Sequence, residues 1–160
     1  MKNLFLFMLA LLMVIPSIST TAQKKPNVEE KMIVIQGDEG WTNTGIKIGK
    51  KDKVSIKATG TVYFDDSDLS DVNPDGMPQD IYQRDWELNW MHCDDPMPQT
   101  NHAALIGNLG NEDFLIGKKT SFTEKKGVLY LGINDCTLKD TKHFYNRGQF
   151  EVYIKVTRPK

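Results

Sequence analysis

The sequence predicts an all-β protein, a jelly-roll-like antiparallel β-sandwich of about eight strands with a long acidic loop inserted at about residues 65–101. Apolar and polar residues alternate in short runs, most clearly at the end of the chain, where Phe150, Val152, Ile154 and Val156 are separated by polar or larger side chains. Glycine-containing turns separate these runs. No window shows a convincing helical period of about 3.6 residues, so we expect strands throughout.

Residues 1–22 have the composition of a secretory signal peptide. Lys2 precedes the apolar run "LFLFMLALLMVIP", and small polar residues follow, with Thr20 and Ala22 at the positions expected before the cleavage point. The apolar run is shorter than the roughly 20 residues that a membrane-spanning helix needs. We therefore expect export, to the periplasm, the cell envelope or the exterior, without a transmembrane segment.

The remaining residues are enough for one domain and one core. We expect a flexible lead-in over 23–31, which carries charge and no apolar pattern, and a single domain over 32–160. The net charge of the chain is −1, which favours neither a nucleic-acid partner nor a basic membrane-binding surface.

The strands of this domain can be assigned in order along the chain. The β-branched run "MIVIQ" begins the series, and the turns "GKKD" and "EKKG" each separate two strands. Trp41, directly before a strand, is expected in the core. The predicted strands are 32–36, two within 41–64, 103–110, 114–117, two within 120–133 and one at about 149–157.

The predicted loop at 65–101 is strongly acidic. Residues 65–95 hold ten acidic residues against one basic residue, Arg84. A loop of this length in a small domain is more often functional than accidental. In an exported protein its Cys93 could form a disulfide with Cys136 of a later loop, or both could remain free thiols.

A second polar loop, between the last two predicted strands, offers oxygen ligands for a hard cation. Calcium takes about six to eight oxygen ligands, and irregular backbone adds carbonyls that strands would use in pairing. The spacing is not that of an EF-hand. The loop is therefore either a calcium site or a set of turn formers. Its oxygen-bearing side chains include Asn134, Asp135, Asp140, Thr141 and Asn146.

Aromatic residues in the acidic loop are candidates for sugar binding. Trp86 and Trp90, with Tyr82 before them, are four residues apart and could share one face of a helical turn. Exposed rings suit the apolar face of a sugar, while neighbouring carboxylates and amides accept hydrogen bonds from its hydroxyl groups. The alternative is that both indoles pack against the core.

The sequence gives little support for zinc binding or catalysis. The run "MHCDD" and the later His102 lack the usual spacing of zinc ligands, and no serine stands in a G-x-S-x-G elbow. Carboxylate pairs are abundant, but a small sandwich rarely forms the deep cleft that a glycosidase needs. We expect a protein that is not an enzyme.

Taken together, these segments resemble the galactophilic bacterial lectins of PA-IL type and related exported, galactose-binding-like β-sandwich domains. The resemblance covers most of residues 41–157, and its most specific part is the ending "LYLGIND" followed by "NRGQF". The other matching segments are "WTNTGIKIGKKDKVSIKATGTVYF", "PDG", "AALIGNLG" and "FLIGKKTSFTEKKG".

What the resemblance implies is a calcium-dependent sugar site at the polar loop. The ion would be held by the Asp135 carboxylate, the Asn146 amide, Thr141 and the backbone carbonyl of Phe64, or that of Tyr63 if the alignment contains a gap. Tyr145 stands where the family has a further Asn, and Asp140 could replace that lost ligand. The sugar would contact the same loop through Asp135, Tyr145 and Asn146, and either Trp86 or Trp90 would stack on its ring.

Two functions follow from this resemblance. The favoured one is an exported calcium-dependent carbohydrate-binding module, with galactose-type sugars as candidate ligands. Shallow sites of this kind bind at about millimolar Kd, or about −4 kcal/mol, so a homo-oligomer would add avidity. The alternative is an envelope or interaction sandwich that has lost sugar binding and keeps a structural or empty calcium loop. The family's His-Pro-x-Gln turn is absent here, where "DDPMPQ" stands.

Overall fold

The computed structural model describes residues 26–64, 71–78, 95–135 and 146–160. These residues form nine β-strands and no helix, which confirms the all-β prediction. The strands are β1 (Asn27–Gln36), β2 (Thr42–Ile48), β3 (Lys53–Tyr63), β4 (Asp71–Val72), β5 (Leu105–Leu109), β6 (Glu112–Leu115), β7 (Lys119–Phe122), β8 (Gly127–Ile133) and β9 (Arg147–Arg158).

The strands are arranged in two antiparallel sheets. One sheet has the order β1-β9-β3-β4, with β7 also pairing with β3, and the other has the order β2-β8-β5-β6. Every described pairing between these strands is antiparallel. The predicted antiparallel β-sandwich is therefore confirmed.

The core follows from the alternation seen in the sequence. Successive side chains of a strand point to opposite faces, so every second residue of β3 and β9 faces the other sheet. Ile56, Val152 and Ile154 are fully buried in this way, and Phe150 is the largest fully buried side chain. Between the sheets lie Ile35, Ile46, Ile48, Val54, Ile56, Ala58, Val62, Val72, Ala103, Leu105, Leu109, Ile116, Leu129, Leu131, Ile133, Phe150, Val152, Ile154 and Val156.

The first strand is longer than the sequence predicted. The flexible lead-in expected at 23–31 is wrong for its last five residues, because β1 begins at Asn27 and pairs with β9 through to Gln36. β1 lies at the edge of its sheet, where charged side chains can stay in contact with water. The beginning of its sequence therefore lacks the apolar pattern by which a strand is recognised. Glu30 pairs with Lys155 at 2.8 Å, and the hydrogen bond from that ammonium lowers the pKa of Glu30.

Two further expectations are corrected by the structure. The segment predicted as one long loop contains a strand in its described part, since Asp71 and Val72 form β4 against the end of β3. Trp41 is not a core residue: it is 38% exposed, and its ring lies over Gly132, which has no side chain to keep it away. The described residues contain no helix long and apolar enough to cross a membrane.

Four strand ends come together at one end of the sandwich. Tyr63 at the end of β3 pairs with Arg147 at the start of β9, and Leu105 at the start of β5 pairs with Ile133 at the end of β8. Antiparallel pairing therefore places the residues that follow β3 beside those that precede β9. In the other sheet it places the residues that follow β8 beside those that precede β5. These flanking residues form the candidate site.

Candidate functional site

Asp135 follows β8, and backbone hydrogen bonds of its own N–H and of Asn134 hold it there. The N–H of Asp135 donates to the carbonyl of Ile133 at 2.9 Å, and the carbonyl of Asn134 accepts from the N–H of Ala103 at 2.7 Å. The Asn134 N–H donates in turn to the Ala104 carbonyl at 2.8 Å. Asp135 is 5% exposed, so its carboxylate is fixed in position and almost removed from water.

Asn146, directly before β9, reaches Asp135 from the other sheet. Its Nδ2 donates to Asp135 Oδ2 at 2.6 Å, and both side chains are buried. The two residues are eleven positions apart in sequence, and the residues between them lie outside the described part of the chain. The contact joins the two sheets at this end of the sandwich.

His102, three residues before β5, lies between two carboxylates. Its Nδ1 is 3.1 Å from both oxygens of Asp95, and its Nε2 is 3.6 Å from Asp135 Oδ1. The His102 backbone is fixed by a reciprocal pair of hydrogen bonds with Met77. The imidazole ring and the Phe64 ring pack in a T-shaped arrangement, with centroids 4.8 Å apart and planes at 83°. At 2% exposure, His102 is the most deeply buried member of this group.

The electrostatics of this group favour a cation. Asp95, His102 and Asp135 place two carboxylates around one imidazole, with ligand atoms within 4.8 Å of one another. A divalent ion beside Asp135 would lie close to both carboxylates, whose charge attracts it.

Asn134 was one of the candidate oxygen ligands of the polar loop, and the structure gives its side chain a structural role. It is fully buried, and its Oδ1 accepts from the N–H of Met97 at 2.8 Å. Its Nδ2 faces the carbonyls of Met97, Thr100 and Asn101 at 3.1, 3.3 and 3.0 Å. The amide thus holds the segment between Asp95 and His102 in place, and its oxygen is not directed at Asp135.

The structure brings together some of the residues selected from the sequence. Asp135 and Asn146 are in direct contact, and Phe64 reaches the same place through its ring contact with His102. The remaining selected residues lie outside the described part of the chain, so their sugar, metal and disulfide roles stay predictions. They are Trp86, Trp90, Cys93, Cys136, Asp140, Thr141 and Tyr145.

Asp95 and His102 were not selected as site residues. Asp95 stands in an acidic run and His102 before an apolar strand, and neither position has a spacing that predicts a ligand. The signal available was the polar imidazole immediately before the core segment "AALIG", since a buried histidine there needs a polar partner.

Calcium fits the donor set at Asp135 in chemical terms. Asp135 supplies a carboxylate and Asn146 an amide, and both are oxygen donors of the kind that calcium prefers. In the structure Asn146 presents Nδ2 to Asp135, so a half-turn of the amide would direct Oδ1 to the same side. The two described donors are compatible with calcium, and further ligands would have to come from the adjoining loop or from water.

A shallow depression elsewhere on the surface is distant from this group. It is lined by residues at the beginning of β3 and the end of β7, namely Lys53, Val54, Ser121, Phe122 and Thr123. The candidate site lies past the other end of β3. A strand of this length spans about 35 Å at roughly 3.3 Å per residue, so the depression is not part of the site.

Comparison with known proteins gives a structural likeness only. No protein-family model matches the sequence, and no curated protein matches it. Among solved structures, the chain is similar to one described as "EclA N-terminal domain; PllA-like lectin", with a TM-score of 0.55 and 18% sequence identity. The match covers 78% of this chain and 94% of that one. The chain therefore has the fold of a lectin domain.

Proposed function

We propose that this protein is an exported, non-catalytic carbohydrate-binding module whose sugar site depends on calcium. The observation that carries the proposal is the contact between Asp135 and Asn146 at 2.6 Å, between residues that begin and end the loop identified from the sequence. The lectin fold of the chain supports the same function.

Calcium would join the protein to the sugar. The Asp135 carboxylate and the Asn146 amide would hold the ion from the two sheets, and vicinal hydroxyl groups of a sugar would replace some of its water ligands. The buried surroundings strengthen the attraction between the ion and the carboxylate. Galactose-type sugars are the candidate ligands, with Trp86 or Trp90 as the stacking residue.

One observation favours the alternative, an envelope or interaction module without sugar binding. Both oxygens of Asp135 already face protein partners, Oδ2 at 2.6 Å from Asn146 and Oδ1 at 3.6 Å from His102. A carboxylate used in this way can stabilise the end of the sandwich without any ion. The two functions differ in whether calcium binds, which can be measured directly.

Thermal unfolding with and without calcium tests the ion. A ligand at about one hundred times its Kd stabilises the folded state by about 2.7 kcal/mol, which raises Tm by about 8 °C for a chain of this length. We expect this rise in the wild type and its loss in Asp135→Ala. The matched control is Asp113→Asn, an exposed carboxylate on β6, which should keep the full rise.

A glycan array with calcium, repeated with EDTA, tests the sugar. Binding that EDTA abolishes supports the proposal, and light scattering of the same sample reports whether a homo-oligomer supplies avidity. If calcium raises Tm equally in the wild type and in Asp135→Ala, the ion site is misplaced. If no glycan binds in calcium, the alternative function is the correct one.

A further inference from the structure

The candidate site contains a nitrogen donor that a calcium ion does not need, where His102 lies between Asp95 and Asp135. Calcium prefers oxygen ligands, but the group facing Asp135 Oδ1 from 3.6 Å is an imidazole nitrogen. All three side chains are buried, with 9% or less of each residue exposed. A nitrogen and a carboxylate oxygen converging in a buried position are the donor set of a first-row transition metal.

The contact with Asp95 fixes how the His102 ring is oriented, with Nδ1 towards Asp95 and Nε2 towards Asp135. Both Asp95 oxygens lie 3.1 Å from Nδ1, and a carboxylate can only accept a hydrogen bond, so Nδ1 carries the hydrogen. In the neutral imidazole the lone pair is then on Nε2, which faces Asp135. A metal-bound histidine typically donates its other N–H to a carboxylate in this manner.

The distance between the two donor atoms suits a zinc-sized ion. Zinc lies about 2.0–2.1 Å from histidine nitrogen and about 2.0–2.2 Å from carboxylate oxygen. Two donors 3.6 Å apart would subtend about 118° at an ion about 2.1 Å from each, close to the angle of tetrahedral coordination. The two carboxylates lie within 4.8 Å of one another and of the imidazole, and their charge attracts a divalent ion.

We propose that this group is a transition-metal site of the Zn²⁺ class, in which His102 Nε2 and Asp135 Oδ1 are protein ligands and Asp95 is the hydrogen-bond partner that orients the imidazole. The site goes beyond the proposed function, with which it shares only the Asp135 carboxylate. Because one carboxylate serves both ions, Zn²⁺ competes with calcium for the protein.

Metal binding to the EDTA-treated, full-length protein tests the proposal, with Co²⁺ and Zn²⁺ as the probes. We expect one equivalent of Co²⁺ to produce visible absorption bands that Zn²⁺ then removes, and isothermal titration to give the Zn²⁺ affinity. His102→Gln should lower that affinity at least a hundredfold. Asp95→Asn should lower it by about 10–100-fold, the usual effect of losing the partner of a metal-bound histidine.

The other histidines and the cysteines provide the controls. The double variant His92→Gln, His143→Gln changes the two other histidines of the chain and should bind Zn²⁺ as the wild type does. A cobalt spectrum without a thiolate charge-transfer band shows that Cys93 and Cys136 are not ligands. Circular dichroism without metal checks that each variant folds.

A measurement on the wild type tests the proposal even if the His102→Gln variant does not fold. In histidine-labelled protein, Zn²⁺ must shift the ¹⁵N resonance of His102 Nε2. The proposal is overturned if the wild type takes up no Zn²⁺, if His102→Gln binds it unchanged, or if the double variant loses it. Zinc uptake without calcium-dependent glycan binding would refute only the proposed function, and the reverse result would refute only the metal site.

Discussion

Replacing Asn134 with alanine tests how the candidate site is held together. The Asn134 amide is fully buried and is the link between the end of β8 and the segment from Met97 to Asn101. Alanine removes the acceptor for the Met97 N–H and the donors for the carbonyl groups facing it. Those backbone groups then remain in a partly buried position without their amide partner.

The size of the effect follows from the number of hydrogen bonds. The Asn134 NH₂ group has two hydrogens, so it can donate two hydrogen bonds to the three carbonyls around Nδ2. The Asn134 Oδ1 also accepts one hydrogen bond from the Met97 N–H. The amide therefore makes three hydrogen bonds in total. At about 1 kcal/mol net for each bond, the variant loses about 3 kcal/mol of unfolding free energy. For a chain of this length, that lowers Tm by about 10 °C.

Urea denaturation followed by circular dichroism measures this loss, with Asn108→Ala as the matched control. Asn108 makes one exposed hydrogen bond to Asp113, so its replacement should cost less than about 1 kcal/mol. Asn134→Asp is a second variant. Its side chain can still accept the Met97 N–H, but a carboxylate oxygen, which cannot donate a hydrogen bond, replaces the NH₂ group opposite the carbonyls. The reasoning is refuted if Asn134→Ala is no less stable than Asn108→Ala.

Two further predictions concern the backbone and pH. Gly148→Ala should lower the free energy of unfolding by about 2–3 kcal/mol, because Gly148 has φ of +80° and an added Cβ would lie 2.3 Å from the Thr61 carbonyl oxygen. Urea titration measures this loss. The control is Gly40→Ala, where an added Cβ meets nothing within 4 Å. The N–H of Lys118 donates to Asp75 and lowers its pKa, so Asp75 stabilises the fold above the unfolded pKa of about 3.9 and loses this effect as pH falls through the folded pKa. Asp75→Asn should therefore be less stable than the wild type at pH 7, by less than about 1 kcal/mol for this half-exposed pair, and the difference should close in acid. A constant difference across that pH range would contradict the assignment.

The central strands were predictable because burial imposes a strict pattern. β3 and β9 lie inside their sheet and face the core on one side, so a period of two residues is visible in "KVSIKA" and "FEVYIKV". β1 was partly missed because an edge strand tolerates charge, and Glu29, Glu30 and Lys31 resemble a solvated lead-in. Pairing with a distant strand, and not local pattern, decides where β1 begins.

The site was less predictable because its contacts join distant positions. Asp135 and Asn146 could be selected from one loop and are in contact. Nothing in the sequence relates Asp95 or His102 to Asp135, since their proximity depends on the pairing of β5 with β8 and on the Asn134 amide. Asn134 could only be named as a candidate ligand, because an Asn that binds a cation and one that binds backbone look alike in sequence.

The position of β9 has a consequence for how the chain folds. β9 is the last strand in sequence, yet it lies between β1 and β3 and pairs with both, with Arg158 opposite Asn27 and Thr157 opposite Lys53. Neither neighbour can complete its hydrogen bonds until residues 147–158 have joined the sheet. Closing so large a loop is slow, and β-sandwiches of this kind fold in about milliseconds to seconds. A polypeptide lacking residues 147–158 would therefore keep β1 and β3 apart and expose the apolar face that both normally bury.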